Sequence, residues 1–114
     1  MNKKDTELTR WPGYIVLPSY LTFPNLSKWQ KAIADGKKYE DAEDYTAFYE
    51  NLLPVALEMV KEWHIDADDL PKHPEKVTVE TFPASTDLTG FIIKCVADLY
   101  AETNGSDPNS DAQS

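Results

Sequence analysis

Apolar residues fall into three helical stripes and one stretch that no helix can hold. Between residues 42 and 64, Tyr45, Phe48, Tyr49, Leu52, Leu53, Ala56, Met59, Val60 and Trp63 recur at i, i+3 and i+4. That period predicts the longest helix, with Leu52 and Trp63 as core anchors. Pro54 lies inside it, so a kink or break is expected near residues 51–53. Residues 25–38 predict a shorter helix, capped by Asn25 or Ser27, with Leu26, Trp29 and Ile33 on its inner face. Residues 87–102 predict a third, capped by Ser85, Thr86 or Asp87, with Leu88, Phe91, Ile92, Cys95, Val96, Leu99 and Tyr100 as its stripe. Residues 65–76 read as a loop with two prolines, and 77–82 as either a short strand or one helical turn.

The exception is WPGYIVLPSYLTFP, residues 11–24. Pro12, Pro18 and Pro24 exclude a helix. They also argue against a central strand, because proline cannot donate to a ladder. An edge strand or a polyproline-like arm remains. The spacing of six puts Trp11, Leu17 and Phe23 on one face in either geometry. We expect those three to face inward and anchor the arm, as Trp29 anchors the first helix. Tyr14, Tyr20 and Leu21 are then the residues available to a partner. The expected fold is mainly α: a three-helix small domain with an extended N-terminal arm or short β-hairpin. Residues 10–102 form the single domain, 1–9 a flexible N-terminus, and 103–114 a disordered polar tail without a large apolar side chain.

Charge narrows the function. The formal net charge is −9, and residues 35–69 carry eleven acids against three bases. Such a surface repels phosphates, so no nucleic acid is expected as a partner. No apolar run approaches the roughly 20 residues that cross a bilayer, so no membrane is expected either. The single Cys95 excludes an intramolecular disulfide framework and fits a reducing cytoplasm. On the stripe of the third helix it reads as a small hydrophobe, not a nucleophile.

No phosphate loop, nucleophile elbow or His-Glu-x-x-His motif occurs. The run His64-Ile65-Asp66-Ala67-Asp68-Asp69 has carboxylates at alternate positions. Yet Pro71 and Val77 stand where a calcium loop starting at Asp66 needs glycine and glutamate. No catalytic residue, metal or cofactor is therefore expected, and the chain reads as a binding or assembly protein.

Five stretches together resemble one family, the small tail assembly chaperones of long-tailed bacteriophages. They are WPGYIVLPSYLTFP, LSKWQKAI, LLPVALEMVKEWHI, VTVETFPAS and FIIKCVADLYAE. The resemblance implies a chaperone that coats the tape measure protein in the host cytoplasm and helps bring tail tube protein to it. It is expected to be a monomer or weak oligomer. The alternatives are a phage structural protein such as a head–tail connector component, and an acidic inhibitor that mimics DNA.

Overall fold

The computed structural model describes residues 2–66, 70 and 77–104. The order is β1 (Asn2–Asp5), β2 (Gly13–Leu17), α1 (Phe23–Asp41), α2 (Tyr45–Glu58), β3 (Glu62–Ile65) and α3 (Thr86–Asn104). The strands form one antiparallel sheet in the order β1-β2-β3. The domain is thus mixed α/β: the three expected helices are present, the N-terminal segment forms the β-hairpin alternative and not a free arm, and β3 extends it to a three-stranded sheet.

Three expectations change with the sheet. Residues 2–5, expected to be flexible, are a strand. The proline-rich arm supplies the central strand, because Pro12 and Pro18 lie just outside Gly13–Leu17 and withhold no ladder donor. Trp63 is in β3 and not on a helix. Residues 59–65 satisfy a helical period and an alternating one equally well, since Trp63 lies four from Met59 and two from Ile65. The structure takes the alternation: Trp63 and Ile65 are buried, and Glu62 and His64 are exposed. Their inner faces join Ile15 and Leu17, both 0% exposed, in one hydrophobic core with all three helices.

Gly13 makes the sheet possible. Its φ of +132° suits glycine alone, and a Cβ there would stand 2.0 Å from the His64 carbonyl oxygen. That close approach carries β2 against β3, with Gly13 opposite Ile65 and Ile15 opposite Trp63.

Helix α1 begins at Phe23, with Pro24 in its first turn, where a missing N–H costs nothing. Its buried face is Trp29, Ala32 and Gly36, with Leu26 half-buried against the core, so of the three expected residues only Ile33 is misplaced. Ile33 is exposed. Small residues let α2 come close. The Asn51 amide donates to the Ala32 carbonyl at 2.7 Å, and Phe48 lies over Gly36.

Asp44 caps α2 by accepting from the Ala47 N–H at 3.2 Å. The helix buries Leu52, Leu53, Ala56 and Leu57, while Tyr45 at its start is exposed. It continues through Pro54 and ends at Glu58, short of residue 64. Pro54 and Glu50 are both exposed, so water reaches the carbonyl that the proline leaves unpaired.

Residues 77–82 form a turn, with the Phe82 N–H donating to the Thr78 carbonyl at 2.9 Å. Phe82 meets Trp63 edge to face at 5.9 Å. The Ser85 hydroxyl caps α3 by accepting from the Leu88 N–H at 3.2 Å. This helix runs on to Asn104, so residues 103 and 104 belong to it and not to a tail. Residues 105–114 of the expected tail lie outside the described residues, as does most of the expected 65–76 loop.

Two glycines give a paired prediction. Gly13→Ala is expected to cost more than about 3 kcal/mol, from backbone strain and displacement of β3. Gly90→Ala, whose Cβ meets nothing closer than 3.8 Å, is expected to be neutral or to gain up to about 1 kcal/mol in α3. Urea denaturation of both variants checks this.

Candidate interaction surface

The segment from Trp11 to Pro24 was expected to hold both anchors and docking residues, and the structure redistributes the roles. Leu17 is fully buried. Trp11 is half-buried against the core, with the Arg10 guanidinium 5.4 Å from its ring centre. Phe23 is not an anchor: it is 86% exposed. Leu21 is not available to a partner: it is 5% exposed and in the core. The reason lies at Pro18, where β2 ends. Beyond it neither a period of two nor one of three continues, so sides deduced for residues 19–23 from Trp11 and Leu17 fail. Trp29, Leu52 and Trp63, the remaining expected anchors, are at most 3% exposed.

Tyr20 and Phe23 therefore stand out together. Tyr20 is 65% exposed. The chain that carries them is fixed at both sides. Leu17 and Leu21 are in the core, and the Leu21 N–H donates to the Thr103 hydroxyl of α3 at 3.0 Å. Thr22, in extended conformation, then leads into α1. An open cleft of about 370 Å³ lies beside Tyr20, lined by Pro18, Asn25, Met59 and Lys61 among others. The Lys28–Glu58 ion pair, at 3.3 Å, ties α1 to α2 nearby.

Tyr14, the third expected docking residue, is half-buried on the outer face of the sheet. Its ring stacks on His64 with centres 4.5 Å apart, and the Lys3 ammonium lies 4.5 Å over it. Glu62 is 3.0 Å from the same imidazole. Val16 shares this face and is only 5% exposed, although it is outside the main core. Lys3 and Glu62 flank it across the strands. Tyr14 is thus engaged by its own sheet.

The acidic run after His64 brings nothing together that can be described, since Asp68 and Asp69 lie outside the described residues. Among the described residues no three His, Cys, Asp or Glu side chains converge as metal ligands. Nor, among them, is any helix long and apolar enough to cross a membrane. Burial in α3 pushes the Cys95 thiol up to about 11.

No protein-family model matches this chain, and comparisons with curated proteins and with solved structures return no match. The surface is therefore read from its own residues.

Sequence reasoning missed the exposure of Phe23, because no regular period carries a side across the end of β2 at Leu17 to the start of α1.

Cys95 generates the prediction here. In the folded protein its thiolate amounts to about one part in a thousand at pH 8. Iodoacetamide is expected to modify it far more slowly than in urea-unfolded chain, followed by mass spectrometry. The raised value also means that the unfolded chain loses this proton first as pH rises. Stability is then expected to fall between pH 9 and 11 by more in the native protein than in Cys95→Ala.

Proposed function

We propose that this chain is a non-catalytic tail assembly chaperone of a long-tailed bacteriophage that binds the tape measure protein through its exposed aromatic pair. The observation that carries this reading is the display of Tyr20 and Phe23 on a backbone fixed by Leu17, Leu21 and Thr103. Large apolar rings held in water mark a docking site when the chain beneath them is rigid, because binding then orders little. The five sequence stretches that resemble the chaperone family support the same direction. So does the charge of −9, which keeps a protein with exposed aromatics in solution while it holds an apolar client.

On this reading the client is an apolar helical segment of the tape measure protein, bound in the host cytoplasm. Tail tube protein is the second partner. Tyr20 contributes ring area and a hydroxyl that tolerates water at the rim, and Phe23 inserts fully. The cleft at Met59 and Lys61 receives what lies beside Tyr20.

The test is co-expression with fragments of the tape measure protein encoded in the same genome. Tyr20→Ser with Phe23→Ser is expected to fold like the parent by circular dichroism and to leave the fragment insoluble. Leu21→Ser, which removes a buried side chain, is expected to lose about 2–4 kcal/mol of stability. A folded double variant that still keeps the fragment in solution contradicts the assignment of these residues.

A further inference from the structure

The sheet has an open edge. The Thr6 N–H donates to the Gly13 carbonyl at 3.0 Å, which extends the β1–β2 ladder by one pair. Hydrogen-bonded and non-hydrogen-bonded pairs alternate in an antiparallel ladder. Thr6, Lys4 and Asn2 therefore turn their peptide groups toward β2, while those of Lys3 and Asp5 point away from the sheet. Among the described residues, none of these four outward groups has a hydrogen-bond partner. Both side chains are also largely exposed, at 59% and 66%.

Unpaired edges template further pairing, and lysine is a common guard against it. Here the guard has its complement two residues away. We propose that this edge pairs with β1 of a second copy of the chain, antiparallel and in one register, giving a continuous six-stranded sheet.

The register follows from three conditions. A two-fold axis perpendicular to the sheet keeps inner faces together, so each residue must meet one of its own parity. Hydrogen bonds must form between outward peptide groups, which are those of Lys3 and Asp5. Opposite residues must not repel. Pairing Lys3 with Lys3 of the second copy meets the first two conditions and fails the third. Pairing Lys3 with Asp5 of the second copy, and Asp5 with its Lys3, meets all three at the hydrogen-bonded positions. Each of the two pairs exchanges both backbone bonds and sets an ammonium beside a carboxylate on the outer face. The Lys3–Asp5 contact within one strand, at 4.0 Å and on the surface, is loose enough to exchange for the pair between copies.

One element opposes this register. It sets Lys4 opposite Lys4 of the second copy on the inner face, where each is half-buried, and this like-charge pair weakens the seam. An interface of one short strand falls under the ~1,000 Å² of a stable complex, so the dimer is a weak one, populated near millimolar protein.

Sedimentation equilibrium of the full chain, up to about 1 mM, tests this. The native protein is expected to rise toward twice its monomer mass with concentration. Asp5→Lys puts two lysines opposite each other at both seam positions and is expected to weaken the dimer at least about tenfold. Adding Lys3→Asp to it exchanges the charges and is expected to restore the dimer to within about threefold of native. Asp5→Pro removes an outward N–H only, leaves the β1–β2 ladder bonds in place and is expected to abolish the dimer. Circular dichroism melts show that each variant is folded. A native chain that stays monomeric at the highest concentration overturns the proposal. So does a dimer indifferent to Asp5→Lys or Asp5→Pro, or one that the charge exchange does not restore.

Discussion

Five residues between two prolines hold this domain together. Gly13–Leu17 is the strand that both edge strands need, and Pro12 and Pro18 fix its length. Alternate peptide groups serve the two sides: Gly13, Ile15 and Leu17 bond toward β1, and Tyr14 and Val16 toward β3. The side chains are divided as strictly. Ile15 and Leu17 close the core, while Tyr14 and Val16 organise the outer face. The partner on one side lies nearly fifty residues away in sequence, so pairing it costs loop-closure entropy that the α1–α2 hairpin must reduce by folding. The hairpin does so through close packing at Ala32 and Gly36, which returns the chain to the sheet at Lys61. Its N–H donates to the Val16 carbonyl at 2.7 Å.

The same strand explains how a small protein displays aromatic rings without loosening. Just after Pro18 the chain crosses to α1 in a few residues and is tied at Leu21 to both the core and α3. Tyr20 and Phe23 stand on either side of that tie. Their exposure is therefore a property of an ordered backbone, which keeps the entropy cost of docking small. Helix α3 takes part through Thr103, the last turn of a helix that sequence composition alone assigns to a tail.

The three helices were legible in the sequence because their stripes are long, although α1 starts at Phe23 after an N-cap at Thr22 that makes no side-chain bond, and not at the expected cap Asn25 or Ser27. What was not legible has three physical causes. Residues 59–65 fit two periods at once, and the choice between them is made by Ile15 and Gly13, far away in the chain. The contact face of α1 is built from small residues, Ala32 and Gly36, which carry little hydrophobic weight in a pattern but allow helices to approach. Ile33, which is exposed, outweighed them. Prolines were read as arguing against a central strand, whereas they bound one. Of the candidate surface, the exposure of Tyr20 was legible in the sequence. The sides taken by Leu21 and Phe23 were not, because the strand ends between Leu17 and Tyr20 and its period ends with it.

Amide hydrogen exchange followed by NMR tests the central role of this strand most directly. Tyr14 and Val16 donate toward β3, and Ile15 and Leu17 toward β1. If β2 is the strand on which the fold depends, all four amides exchange only through global unfolding, with one common protection that equals the unfolding free energy measured by denaturant. Protection of Tyr14 and Val16 far below that of Leu52 and Leu99 in the helices would contradict the account. It would mean that the helices form a body of their own to which the sheet is merely attached.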